Sequence, residues 1–247
     1  MFFKRPFSLK HRQLQPELMD QPELGQSDHF QALDGLQRLN IASGTCRQLW
    51  RRVKAAAVVS QTKTLRMLDV ASGGGDVPLG MWKLARRDGF DLEILGVDSS
   101  ATACTYAGRR AIGIGASISF EQLNVTQERL PDGFDVVTCS LFLHHLTFEQ
   151  AAGLLRNMAA AGKLLLVSDL RRCASGYALA QLACRTLTRS PIVHSDGPRS
   201  VANAFTLGEL RELCEHAGMK NASVEAVWPY RLLIVQRSKN GACRPET

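Results

Sequence analysis

Apolar positions change their rhythm once along this chain, near residue 60. Before it they recur at helical spacing: Phe30, Leu33, Leu36 and Leu39 stand three apart, behind Ser27 or Asp28 as a cap. A second helical pattern covers 45–59. This predicts an α-helical N-terminal extension over 1–60. From residue 65 the pattern becomes short apolar runs separated by helical stretches. The runs fall at 65–70, 92–97, 118–123, 134–139 and 163–169. Near-continuous apolar strands alternating with helices predict a parallel sheet covered on both faces. Thr147-x-x-Gln150 and Thr206-x-x-Glu209 are capping boxes, and Gly218 is a helix stop. Segments 223–227 and 231–236 flank Trp228-Pro229-Tyr230 and predict a closing hairpin. Between the fifth run and the Thr206 helix lies an insertion, about 170–205, with one expected helix near 176–188. The domain expected over 61–247 is therefore α/β.

The most informative segment follows the first apolar run: Asp69-Val70-Ala71-Ser72-Gly73-Gly74-Gly75-Asp76. Glycines between a strand and a helix let backbone approach a ligand closely. The second run ends at Asp98, followed by Ser99. A carboxylate there can accept ribose hydroxyls, so an adenosine-containing cofactor is expected. A dinucleotide loop needs a third glycine where this chain has Pro78, and no phosphate-binding G-x-x-x-x-G-K-[ST] is present. Asp69 and Asp76 would repel a diphosphate and suit ammonium and sulfonium charges. S-adenosylmethionine fits that requirement.

On these residues the chain resembles the class I (Rossmann-like) S-adenosylmethionine-dependent methyltransferases. Asp69-x-Ala71-x-Gly73-x-Gly75 is similar to their first motif, with Ala in place of the first Gly. Gly96-Val97-Asp98 resembles their second, and Leu123-Asn124-Val125 their third, although Asp is more usual where Asn124 stands. The stretch from Phe134 through Ser140 to Leu143-His144-His145-Leu146 resembles their fourth-strand region. The resemblance covers roughly 60–170, extends to the C-terminal hairpin, and points to the branch with quinone-biosynthesis, phenolic and polyketide-tailoring enzymes. It implies a seven-stranded, mostly parallel sheet of order 3-2-1-4-5-7-6 with helices on both faces. It further implies a donor site formed by Asp69, Ala71, Gly73, Gly75, Asp98, Ser99, Asn124, Val125 and Ser140, with S-adenosylhomocysteine as product and no metal.

Methyl transfer from a sulfonium is an in-line displacement, for which alignment supplies much of the rate. A base is needed when the nucleophile arrives protonated. Moving a proton from a phenol to histidine crosses about 3.5 pKa units, roughly 5 kcal/mol. His145 and His144, after the fourth run, are the candidates for base or orienting group. Asp169 ends the fifth run and is a third candidate. Arg171, His29 and His194 are candidates for contact with the acceptor. Phe30, Leu33, Tyr177, Leu179 and Leu182 would give the extension and the insertion an apolar face. That favours a small hydrophobic or aromatic acceptor, with O-methylation of a phenolic, polyketide or quinol hydroxyl as the leading expectation. C-methylation of a quinone precursor, RNA methylation and donor binding without turnover are the alternatives.

Charge and cysteine usage narrow the setting. The 247 residues carry 30 Lys plus Arg against 23 Asp plus Glu, a net charge of +7. Lys4, Arg5, Lys10 and Arg12 sit in the first twelve positions without an acid, leaving the rest only mildly basic. Such a basic tail reads as a solvated terminus, with contact to anionic lipid or to RNA as the other uses. Ser140-Leu141-Phe142 stands where enzymes acting on exocyclic amines of nucleic acids carry Asn or Asp followed by Pro-Pro and an aromatic. No separate nucleic-acid module is apparent, so nucleic acid is not the expected partner. Seven cysteines lack C-x-x-C spacing, which disfavours a disulfide framework and a structural zinc site. A cytoplasmic setting is expected.

Overall fold

The computed structural model describes residues 9–21 and 24–237. Lys4, Arg5 and Cys243 lie outside these described residues. Two helices, α1 (Gln26–Ser43) and α2 (Thr45–Val59), precede the sheet. The sheet is then built by β1 (Thr64–Val70), α3 (Asp76–Arg87), β2 (Asp91–Asp98), α4 (Ala101–Gly113), β3 (Ile118–Gln122), β4 (Phe134–Ser140), α5 (Phe148–Ala161) and β5 (Gly162–Leu170). Next come α6 (Ala174–Leu187), α7 (Pro191–Asn203), α8 (Leu207–His216), β6 (Ser223–Val227) and β7 (Arg231–Arg237).

The strand order is β3-β2-β1-β4-β5-β7-β6. β1 to β5 pair in parallel, while β7 runs antiparallel to both β5 and β6. The expected fold is therefore the observed one. Two cores explain why the strands read as near-continuous apolar runs. On one face Leu68, Val70, Val137, Cys139, Leu165 and Val167 pack with Leu155 of α5 and Leu213 of α8. On the other Met67, Val136, Leu164 and Leu166 pack with Leu49 and Val53 of α2 and with Met81 of α3. β3, an edge strand, is half wet, which is why its residues alternate. Both capping boxes form, at Thr147 and Thr206, and Gly218 adopts φ +77° just beyond α8.

Three expectations need correcting. The insertion holds two helices: α6 and also α7, whose internal Gly197 and Pro198 break the helical pattern in sequence. Its start was marked, because Ser190 Oγ accepts from Val193 N and Pro191 fills the first turn. The extension is helical only from Gln26, capped by Gly25 rather than by Ser27 or Asp28. Before it runs an irregular strap with one 3-10 turn, Leu18–Asp20. Finally, Arg12 is no solvated tail residue. Its guanidinium donates to the carbonyls of Asn203 at 2.6 Å and Leu146 at 2.6 Å, and it lies 3.8 Å over the Phe205 ring.

Candidate active site

A cavity of about 890 Å³ opens at the carboxyl ends of the parallel strands. One half is built by loops between consecutive elements. Ala71 (φ +56°) and Gly73 (φ +52°) turn the chain sharply out of β1, and Gly73 has open space where a Cβ would stand. Gly75 (φ +75°) serves a different need: a Cβ there would meet Ala107 and Phe120 at 2.9 Å. It sets the packing of α3 against α4 and β3 and does not line the cavity. Asp98 holds the loop, with Oδ2 accepting from Gly73 N at 2.8 Å and Oδ1 from Ser100 N at 2.9 Å. A carboxylate oxygen can accept more than one hydrogen bond. Asn124 forms a turn, its Oδ1 accepting from Thr126 N at 3.2 Å and Thr126 Oγ1 at 2.8 Å. Ala71, Gly73, Asp98, Ser99, Asn124, Val125 and Ser140 all line this half.

Asp69 and Asp76 separate in character. Arg110 Nη1 pairs with Asp76 at 2.7 Å and also holds the Gly74 carbonyl at 2.6 Å. Asp76 is thus already matched by a cation, which corrects the expectation that both acids are available to a ligand. Asp69 is buried and pairs with no basic side chain among the described residues. Burial pushes its carboxyl up to about 7, although Thr138 Oγ1 donates to it at 2.5 Å. A buried acid without a cation and an unpartnered buried Ser140 Oγ fit a ligand carrying positive charge and hydrogen-bonding groups. The donor expected from the sequence has both.

The other half joins segments far apart in sequence. Asp169 does not face the cavity. Its Oδ1 lies 2.6 Å from His144 Nδ1 and its Oδ2 accepts from His144 N at 3.0 Å. This double grip fixes the turn Leu143–His145. Burial alone would raise Asp169, but His144 outweighs it and holds the carboxyl below its ordinary value. His144 is buried, whereas His145 is more open, and both line the cavity. Between them comes a residue that the sequence did not single out, Glu17 of the strap. Its Oε1 lies 3.7 Å from His144 Nε2 and its Oε2 lies 3.9 Å from His145 Nε2. Ser200 Oγ donates to Oε1 at 2.6 Å. Burial pushes the Glu17 carboxyl up against the pull of both histidines. The group Glu17, His144 and His145 is also where metal-capable atoms converge among the described residues. No periodicity or motif marks Glu17; only the docking of the strap on α7 reveals it.

Leu33, Leu36 and Leu39 of α1 and Leu179, Ala183 and Leu187 of α6 give this half an apolar wall, which His29 also joins. Arg171 and His194 do not line the cavity; His194 Nε2 lies 2.9 Å from the Thr188 carbonyl. Leu182 is exposed, and Phe30 packs against Tyr106 with the rings tilted by 33°. A second overlooked residue is Arg231, at the start of β7, which is buried and faces the cavity. A lone Arg opening a run of Leu232, Leu233 and Ile234 was its signal.

Residues 67–163, from β1 into β5, match the family described as "Methyltransferase domain". This stretch is a class I methyltransferase domain. The chain is similar to a ubiquinone biosynthesis O-methyltransferase of Colwellia psychrerythraea, 27% identical over 162 residues, covering 63% of this chain and 61% of that protein. It thus spans about three fifths of that relative's length. The methyltransferase fold is shared with magnesium protoporphyrin IX methyltransferase of Synechocystis PCC 6803 with bound S-adenosylhomocysteine, at TM-score 0.56 and 17% identity over 85% of this chain and 97% of that one. It is also shared with an O-methyltransferase from neocarzinostatin biosynthesis, in complex with S-adenosylmethionine and 2-hydroxy-5-methyl naphthoic acid. There the TM-score is 0.51, with 23% identity over 70% of this chain and 48% of that one. Among the described residues of the methyltransferase domain and its additions, no helix is long and apolar enough to cross a membrane.

Proposed function

We propose that the protein transfers a methyl group from S-adenosylmethionine to a hydroxyl of a small aromatic acceptor, a phenol or quinol. The observation that carries this reading is the cavity itself, which joins the glycine loop to a histidine pair under an apolar wall. Bound there, the donor would supply an electrophilic methyl on a sulfonium. Asp98 would hold its ribose, Asn124 and Val125 would border its adenine, and Asp69 would offset its positive charge.

The chain's own residues then have distinct tasks. Asp169 fixes His144, and through it the turn, so that His145 Nε2 is presented to the acceptor. His145 accepts the hydroxyl proton as the oxygen attacks. Glu17, next to both rings, stabilises the imidazolium that results and so reduces the cost of a proton transfer from a phenol. The 3.7 Å and 3.9 Å gaps between Glu17 and the two Nε2 atoms are too long for direct hydrogen bonds. At that range Glu17 acts on both rings through its charge. Leucines of α1 and α6 exclude water and favour a flat apolar body.

Incubation with methyl-labelled S-adenosylmethionine and a panel of phenols, quinols and tRNA tests this reading. Label on a phenolic or quinol oxygen is expected. Label on ring carbon or on tRNA, with none on oxygen, contradicts it.

A further inference from the structure

Arg231 stands apart from the other buried arginines of this protein. Arg172 places Nη2 on Glu209 at 2.6 Å, Nη1 on the Ala204 carbonyl at 2.6 Å and Nε on the Leu9 carbonyl at 3.2 Å. Arg199 pairs with Asp196 at 3.0 Å and donates to the Pro16 carbonyl at 2.8 Å. Arg231 is 4% exposed and has no acid within ion-pair distance among the described residues. Its Nη2 donates only to neutral side chains, Ser43 Oγ at 3.0 Å and Asn40 Oδ1 at 3.5 Å. Its Nη1 is buried and has no hydrogen-bond partner. All three side chains line the cavity.

A buried, uncompensated guanidinium is costly, and an apolar residue ahead of Leu232, Leu233, Ile234 and Val235 would serve packing better. Burial lowers its pKa to about 10, with Asp169 pulling the other way, so the charge persists at neutral pH. A charge kept under those terms, with one donor nitrogen lacking a partner on a side chain that lines the cavity, calls for an anion. The planar fork favours a carboxylate.

We propose that Arg231, with Ser43 and Asn40 beside it, is the binding site for a carboxylate on a molecule held in the cavity. The carboxylate comes either from the amino-acid end of the donor or from an aromatic acid as acceptor. The inference rests on the reading of the cavity as a methyl-transfer site and specifies the charge of what enters it.

Calorimetric titration of the full chain, wild type against Arg231→Gln, tests it with two matched pairs of ligands. S-adenosylhomocysteine is compared with 5′-methylthioadenosine, which lacks the amino-acid end. A hydroxynaphthoate is compared with the naphthol of the same ring. In at least one pair the substitution is expected to weaken the acid at least tenfold while its acid-free counterpart stays within twofold. The pair that responds identifies the source. Equal effects on acid and acid-free ligands, or no effect in either pair, overturn the proposal. Should Arg231→Gln not fold, as judged by its melting transition, Arg231→Lys reads the same pairs, and a smaller loss confined to the acids is expected. Wild-type protein that binds neither adenosyl compound contradicts the donor reading, yet the naphthoate and naphthol pair still decides Arg231. Failure to methylate any phenol contradicts the acceptor reading while leaving the carboxylate comparison intact.

Discussion

The two halves of the cavity are made in opposite ways. The half proposed for the donor is local: the loop from β1 to α3, the end of β2 and the end of β4 each carry their residues within a few positions of one another. The half proposed for the acceptor is assembled from remote segments. Glu17 meets Ser200, Arg12 meets Asn203 and Arg231 meets Ser43. Backbone geometry decides what the first half can hold, so it tolerates few residue types. Long-range docking decides the second, so its specificity resides in how the strap, α1 and the pair α6–α7 close together.

If that division holds, substitutions should separate by half. The largest effect belongs to His145→Ala. Loss of a positioned base lowers kcat by about 10²–10⁴, while the dissociation constant for S-adenosylhomocysteine stays within twofold; equal losses in both would move His145 into the donor half. Next is Asp98→Ala, which removes charged hydrogen bonds to ribose and to Gly73 N, worth ~1.5–3 kcal/mol. Donor affinity measured by calorimetry falls at least tenfold, and an unchanged value would end the ribose assignment.

A pH titration sharpens the comparison further. With its carboxyl raised to about 7 in the empty protein, Asp69 is ionised above that pH and protonated below it. A cationic donor favours the ionised form, so affinity is full above about pH 7 and drops by up to about tenfold per unit below it. Binding near pH 6.5 then releases a proton, seen as a buffer-dependent enthalpy, and Asp69→Asn flattens the profile. A flat wild-type profile would show that Asp69 does not sense the donor's charge. The smallest effect is on the strap. Arg12→Ala loses carbonyl bonds and the contact with Phe205, about 2 kcal/mol, or roughly 4–8 °C of melting temperature. It also raises the acceptor KM, because Glu17 is held by the same strap. A change confined to donor affinity would place the strap in the wrong half.

The same division explains what was legible in sequence. Strand order, both capping boxes and the residues Ala71, Gly73, Asp98 and Ser140 could be read because their signals are local and their residue types are forced. Asp69 and Asp76 looked equivalent in sequence, since a partner 34 positions away, Arg110, neutralises only one of them. Glu17 and Arg231 could not be paired with His144 or Ser43 from spacing, because separations beyond a hundred residues leave no periodic trace. Arg171 follows the end of β5 and His194 lies on α7, yet neither reaches the cavity wall.

The most direct test of the central claim is a calorimetric titration of the full chain with S-adenosylhomocysteine in the presence of excess NADH. A cavity shaped by Asp69, Asp98 and the turn at Gly73 predicts saturable one-to-one binding that NADH does not displace. Saturable binding of NADH that the adenosyl-sulfur compound cannot compete away would contradict it.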